Sequence, residues 1–471
     1  MTRSSERRTL LIVSLALFMV VLDNLVVTVA LPSIKHAFGA SVQSLEWTVN
    51  AYTLAYAVLL LTGAALGDRF GRRRMFLVGL GVFTVASAGA ALAPSTGLLI
   101  AARAIQGAGA AIVTPLTLTL LAEAYPAERR GIAIGVWSAI GGVAVALGPL
   151  VGGAVITSLD WHWIFWINVP VGAAVLPFAA RGLEESRGPY GRLDLPGLGL
   201  GSAGLLGIVY GLVYSQTAGL RAGSVLAALG AGAVLIAAFV AWELRAEHPM
   251  LPMRFFANRG FAVTNAASLA MYFGMFGSIF FLTQYMQLVL GNSPLQAGVK
   301  LLAWTGATMV VSPLAGVLSA RFGPRRFIAA GLAAQAAGLA WIGLTATTHT
   351  PYTSVIGAFV LAGGGMGLFF APAANAVLAA VRPEQAGQAS GATNTIRELG
   401  GVLGVAVLAS VFAGHGSYAT GSAFVSGLTP ALWVGVAVLA GFALIVAALP
   451  WARHAASAPV AAPAEAAPAA P

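Results

Sequence analysis

Ala64-Ala-Leu-Gly-Asp-Arg-Phe-Gly-Arg-Arg-Arg74 is a dense cluster of charge set between two long apolar runs, and it has a counterpart later in the chain. From Gly316 the sequence reads Gly-Val-Leu-Ser-Ala-Arg-Phe-Gly-Pro-Arg-Arg326, again between apolar runs. Leu66, Arg69, Phe70, Gly71, Arg73 and Arg74 thus recur 252 positions on, at Leu318, Arg321, Phe322, Gly323, Arg325 and Arg326. A constant offset of this length indicates a duplicated half rather than a short-period solenoid. A second echo agrees: Pro126-Ala-Glu-Arg-Arg-Gly131, followed by Gly135, resembles Pro383-Glu-Gln-Ala-Gly387, followed by Gly391, with the glycines 256 apart.

Composition says where such a chain lives. Of 471 residues 58% are hydrophobic and 8% charged, and mean hydropathy is +0.86. A soluble chain carries roughly 25% charged residues, so this is a polytopic membrane protein, with the lipid bilayer as its surroundings. The net charge of +10 would suit nucleic acid only if the basic residues shared one soluble face. They lie at the ends of apolar segments instead, which is a topology signal and implies no nucleic-acid partner. Cysteine is absent and lysine occurs only at Lys35 and Lys300. Disulfides, Cys-based metal sites and a G-x-x-x-x-G-K-[ST] phosphate loop for ATP are therefore excluded. There is no H-E-x-x-H, G-x-S-x-G or carboxylate cluster, which argues against an enzyme and against a bound metal or cofactor. The rival class, a receptor, lacks any soluble ligand or signalling domain.

Apolar stretches of about 20 residues, the length that crosses a bilayer, fall near 10–32, 47–66, 75–93, 96–121, 131–157, 161–180, 195–215, 222–242, 261–288, 295–319, 326–346, 353–379, 386–413 and 429–451. The expectation is about fourteen spans in an all-α membrane protein. The first run continues past Asp23 without a small-residue cleavage site, so it reads as a retained span rather than a signal peptide. With the N-terminus inside, twenty arginines fall on the cytoplasmic side and only Lys35, Arg221 and Lys300 outside, while Arg103 and Arg397 lie within the membrane. The positive-inside rule then places both termini in the cytoplasm. Because the twin loops follow spans two and ten, spans one to six pair with nine to fourteen, and seven and eight form an insertion. The division is a cytoplasmic N-terminus at 1–9, a six-helix bundle at 10–180, two inserted helices and linkers at 181–260, a second six-helix bundle at 261–451, and an Ala/Pro-rich disordered tail at 452–471.

The loop G-x-L-x-D-R-x-G-R-R between the second and third spans is the signature of the major facilitator superfamily, and this chain resembles its members over nearly its whole length. The 6+2+6 plan is similar to the fourteen-span drug:proton antiporter branch. In the first span, Leu22-Asp23-Asn-Leu-Val-Val-Thr28-Val-Ala-Leu31-Pro32 resembles that branch's L-D-x-T-I-V-N-V-A-L-P element, with Leu25 and Thr28 replacing its polar Thr and Asn. In the fourth, Arg103-Ala-Ile-Gln106-Gly107-Ala-Gly109 resembles R-x-x-Q-G-x-G. In the fifth, Gly148-Pro149-Leu-Val-Gly152-Gly153 resembles the antiporter motif of the exporters, with Ala144 at a frequent glycine position.

These resemblances and the chemistry of the residues give the site expectations. Gly67, Asp68, Arg69, Gly71, Arg72 and Arg73 would form a gating loop in which glycines allow the turn and Asp68 holds an arginine or a helix N-terminus. In the second gating loop, Gly316, Arg321, Gly323 and Arg325 recur, but Ala320 replaces the acid, so the same latch is not expected. An acid as deep as Asp23 costs roughly 2.5 to 3.5 kcal/mol on insertion scales unless it faces protein or water, which makes it a candidate for proton coupling. Asp23 and Arg103 lie roughly 13 and 10 Å below the outer ends of their helices. They could form a pair broken by protonation, or a fixed pair that only holds packing. Gly148, Pro149, Gly152 and Gly153 would form a hinge. Arg397 and Glu398 are adjacent and point about 100° apart, so each needs its own partner; Glu398 is the second candidate for proton or cation binding. Phe18, Met19, Met271, Phe273, Met275, Phe276, Tyr285 and Trp304 are candidate cavity walls.

Taken together, the expectation is a monomeric pump of a bacterial inner membrane, exporting hydrophobic neutral or singly cationic drugs by alternating access. It would be driven by the proton gradient, with no cofactor. The alternative is a dedicated exporter of one endogenous product.

Overall fold

The computed structural model describes residues 3–187, 194–219, 221–247, 249, 251–381 and 386–449. The Ala/Pro-rich tail at 452–471 lies outside them. The described chain is helical from end to end: α1 Arg3–Phe38, α2 Val42–Phe70, α3 Arg72–Ala91, α4 Thr96–Ala124, α5 Ala127–Ser158, α6 Trp163–Trp166, α7 Asn168–Gly182, α8 Leu195–Ala218, α9 Gly223–Glu243, α10 Arg259–Gln284, α11 Pro294–Phe322, α12 Pro324–Thr345, α13 Tyr352–Ala379, α14 Ala386–His415 and α15 Gly421–Ala448. Side chains that prefer caps mark the starts. Ser41, Ser95 and Thr420 accept from the backbone N–H three residues on, and Ser293 with Gln296 completes a capping box.

Twelve described helical segments are long and apolar enough to cross a membrane, with α6 and α7 joined as one, and α2, bent by 51°, makes a thirteenth. The 32-residue α5, whose described apolar part is Leu147–Ser158, occupies the remaining place in the order. The chain is thus an all-helical multi-pass membrane protein, and fourteen spans are compatible with it. The long expected spans at 131–157 and 261–288 hold no interfacial turn. α5 is one helix, and α10 runs on through a π-helical turn at Tyr285–Val289.

The duplication is visible in the packing. A Cβ on Gly107 of α4 would run into the Tyr52 carbonyl oxygen of α2, and one on Gly363 of α13 into the Trp304 carbonyl oxygen of α11. Gly109 meets the backbone of Gly79 and Phe83 just as Gly365 meets that of Gly331 and Gln335. These pairs carry the same 252 and 256 offsets as the loops. Small residues let the helices touch backbone to backbone. Between the halves α2 packs on α14 and α5 on α11, the crossed arrangement that a two-fold relation produces. The inserted α8 and α9 pack on each other, and Val209 and Val213 of α8 cover the α2–α14 seam beside Leu54, Val58, Val402 and Ala406.

Candidate functional site

The twin loops share one end of the bundle, here the arginine-rich end. Gly71 joins α2 to α3 at φ +107° and Gly323 joins α11 to α12 at φ +83°, a region where side chains are strained. In the first loop Arg72 donates to Asp68 Oδ1 through Nη2 at 2.7 Å and Nε at 2.9 Å, and its Nη1 donates to Glu123 at the end of α4. The helix N-terminus is held by a different acid: Glu185 accepts from the backbone N–H groups of Arg73 and Arg74 at 3.0 and 3.2 Å, as the positive end of a helix favours. Arg69 lies over the Phe70 ring, and Gly67 abuts Leu116. Glu123 and Glu185 escaped the sequence reading because each is far from the loop in the chain. The second loop has no acid. Arg325 donates instead to the Val446 and Ala447 carbonyls that end α15, Arg321 lies over Phe322 and Gly316 faces Ala371.

These geometries separate two variants. Gly71→Ala is expected to cost about 1 to 3 kcal/mol from its backbone conformation, with its Cβ 2.7 Å from a Glu185 oxygen. Asp68→Asn removes one of the two acids on Arg72 in a half-buried network, leaves Glu123 in place, and should cost about 1 kcal/mol. Thermal unfolding in detergent should therefore rank Gly71→Ala below Asp68→Asn.

Deeper, Asp23 on α1 is 2% exposed and Arg103 on α4 is fully buried. Arg103 Nη1 donates to Asp23 Oδ2 at 2.5 Å and to Gln106 Oε1 at 2.8 Å. Gln106 Nε2 and Asn168 Nδ2 donate to Asp23 Oδ1 at 2.9 and 2.7 Å, and Asn168 also reaches Ser87. The carboxylate thus ties together α1, α4 and α7, with α3 joined through Ser87. Arg103 Nε donates to the Thr48 carbonyl, its guanidinium carbon lies 4.2 Å from the centre of the Tyr52 ring, and Nη2 has no acceptor among the described residues. Sequence reading placed the pair at one depth but missed Asn168. Its only signal was a single amide in an apolar span. The 252 offset takes Asp23 to Met275 and the 256 offset takes Arg103 to Phe359 in the second half, so that half has no such pair.

Between the halves lies a cavity of about 170 Å³. Its walls include Tyr52, Tyr56, Tyr272, Phe276, Trp304 and Phe370, and Glu398 of α14 is the carboxylate in its described lining. Glu398 Oε2 and Asn24 Oδ1 are buried without hydrogen-bond partners among the described residues. Asp23 and Arg103 do not line it; Tyr52 touches both the cavity and the guanidinium. Of the expected walls, Met275, Phe276 and Trp304 are present. Met19, Met271, Phe273 and Tyr285 are buried in helix packing, and Phe18 packs against the core. The spacing did not show which face of α10 turns inward. Arg397 Nε and Nη2 make no hydrogen bond to Glu398, and the guanidinium carbon lies 5.9 Å from the ring centres of both Tyr272 and Phe370.

At the end opposite the arginine-rich loops the seam is sealed. A Cβ on Gly153 would lie 2.5 Å from the Pro294 carbonyl oxygen and 2.7 Å from the Leu295 Cα, and one on Gly298 would meet the Pro149 carbonyl oxygen. Gly148 and Gly152 face Leu25 and Val26 of α1, so this motif binds α5 both to its own half and to the other. Leu295 N–H donates to Thr157 Oγ1 at 3.2 Å, Gln287 Nε2 to the Val29 carbonyl at 3.0 Å, and Lys35 Nζ sits 3.7 Å from the Tyr418 ring centre. The polar contacts just described at the arginine-rich end, by contrast, each stay within one half or tie the first half to the linker at Glu185.

The profile of the family described as Major Facilitator Superfamily matches residues 13–405 and, in a second match, 264–471. The chain is 40% identical over 452 residues to the cephamycin export protein CmcT of Amycolatopsis lactamdurans, covering 95% of this chain and 92% of that one. It is 34% identical over 451 residues to the multidrug efflux pump LfrA of Mycolicibacterium smegmatis, covering 95% and 89%. Among solved structures, the xylose transporter XylE from E. coli in a partially occluded inward-open conformation aligns with a TM-score of 0.63 at 15% identity, covering 95% of this chain and 98% of that one. That likeness concerns the fold.

Proposed function

The chain belongs to the major facilitator superfamily and is a membrane transporter; from this premise we propose that it is a proton-coupled antiporter exporting hydrophobic neutral or singly cationic drugs from the cytoplasm. The observation that carries the cargo class is the cavity between the halves: aromatic walls around one carboxylate, Glu398. Aromatic faces attract a cation as well as apolar surface, and a single acid suits one positive charge. Similarity to LfrA and CmcT, named for multidrug efflux and cephamycin export, supports export over uptake.

By the positive-inside rule the arginine-rich end faces the cytoplasm, and the sealed end faces outward. The conformation then corresponds to an inward-facing state. About 170 Å³ is less than the roughly 300 to 1,000 Å³ of a drug-sized site, so cargo entry requires the halves to part further at the cytoplasmic end. Asp23 acts beside the cavity rather than in it. Ionised, it holds Arg103, Gln106 and Asn168 together; protonated, it releases its claim on a guanidinium that stays charged. Tyr52 and Asn24 relay the change to the cavity wall. Protonation from outside displaces cargo, and deprotonation inside resets the pump. No cofactor takes part, and the working unit is a monomer in the bacterial inner membrane.

Glu398→Gln separates cargo recognition from the rest. Efflux of a lipophilic monocation is expected to fall about tenfold, the loss of one charge-assisted contact, while efflux of a neutral lipophilic compound changes less than about twofold. Equal loss for both would remove Glu398 from cargo binding. Similarity to CmcT, named for export of one compound class, favours a second reading, a dedicated exporter of an endogenous product. A panel of unrelated drugs on which the wild type has no effect would select it.

A further inference from the structure

Arg397 is the charged group that this reading leaves unused. Its Nε and Nη2 are buried and have no hydrogen-bond acceptor among the described residues. Its contacts are the faces of Tyr272 and Phe370, both of which line the cavity. A guanidinium carries five donors and does not lose its proton. Two buried donors without an acceptor are costly, and the group cannot escape the cost by titrating. The protein offers little to neutralise it. No acid occurs between Glu247 and Glu384, so the ninth to twelfth spans have none. The neighbouring Glu398 leaves α14 about 100° round the helix, and Asp23 is already taken by Arg103, Gln106 and Asn168. Glu398 is the neighbouring charge, but what is missing at Arg397 is an acceptor for Nε and Nη2, which no described residue supplies.

We infer that Arg397 is an anion subsite at the edge of the cargo cavity, and that the transporter takes zwitterionic amphiphiles: an apolar body whose cation lies at Glu398 and whose carboxylate lies at Arg397. The inference rests on the reading of the cavity as the cargo site and extends its cargo beyond neutral and singly cationic compounds. Adjacent Cα atoms lie about 3.8 Å apart, so the two charged heads diverge from one point on α14 and are addressed by one molecule. Tyr272 and Phe370 flank the guanidinium and give the apolar body a stacking surface next to its carboxylate. The planar fork of Arg397 matches a carboxylate through two parallel hydrogen bonds.

Rhodamine B and its ethyl ester share one xanthylium cation and differ in the carboxylate alone, so their binding to the purified full-length protein, read by fluorescence anisotropy, isolates this contact. The wild type is expected to bind both. Arg397→Gln is expected to weaken the free acid by about tenfold or more, the loss of a charge-assisted pair, and to leave the ester within about twofold. Retained ester binding is the control for folding. Arg397→Lys keeps the charge and is expected to recover part of the affinity for the acid. Equal weakening of both dyes, no change in either, or a wild type that binds the ester but not the acid overturns the anion subsite. A wild type that binds neither dye instead overturns the cargo cavity itself, and the subsite with it.

Discussion

Asp23→Asn is expected to abolish uphill export and to destabilise the protein, and the double variant Asp23→Asn with Arg103→Gln to recover the stability but not the export. The carboxylate is buried with three donors on it, and Arg103 is wholly inside the protein. Removing one partner of a buried pair costs roughly 3 to 5 kcal/mol because the other charge is left uncompensated. An asparagine can still accept from Gln106 or Asn168, but it cannot balance the guanidinium. Neutralising both residues removes the stranded charge, so thermal unfolding of the double variant should return most of the way to wild type. Efflux should not return, because neither variant can bind and release a proton at this position. A double variant that pumps would show that the pair is a packing element and would move proton coupling to Glu398.

Gly153→Val is expected to produce the second large effect, a pump trapped open to the outside. The added carbons have no room between α5 and the start of α11, where backbone atoms already lie 2.5 and 2.7 Å from the Cβ position. Forcing side-chain volume into such a contact costs about 1 to 3 kcal/mol, and each 1.4 kcal/mol shifts a two-state population roughly tenfold. The cost falls on the state in which this seam is closed, so the balance moves toward the state in which it is parted. The chain has no cysteine, so a single reporter at Gln287→Cys can be labelled from outside without background. That side chain reaches the Val29 carbonyl across the closed seam. Labelling by a membrane-impermeant maleimide should accelerate about tenfold in Gly153→Val, and efflux should be lost. Unchanged labelling would mean that the tight glycine contact does not govern outer closure.

How much of this was legible beforehand depends on range along the chain. The 252-residue echo, the apolar runs and the arginine distribution are local or periodic signals, and they gave the two-halved helical plan. Equal depth brought Asp23 and Arg103 together because rise per residue in a helix is fixed. The partners that complete the sites could not be reached this way. Asn168 lies 145 residues from Asp23, and Glu185 lies 112 from Arg73; only the assembled bundle brings them together. The cavity walls were read least well. Met271 and Met275 sit one turn apart on α10, yet one is packed among helices and the other faces the cavity, because the crossing of neighbouring helices decides how far a face stays exposed along its length. Tyr52 and Tyr56, also one turn apart, line the cavity from α2.

The most direct test of proton-driven export uses the purified protein in liposomes with an imposed pH gradient and no other energy source. Accumulation of a fluorescent lipophilic monocation and the internal pH are followed together. The prediction is that the dye concentrates on the acidic side faster than in protein-free liposomes, that its addition speeds collapse of the gradient, and that a protonophore or Asp23→Asn abolishes both effects. Protein-dependent dye movement that proceeds equally without a gradient, or that leaves the decay of the gradient unaltered, would contradict it.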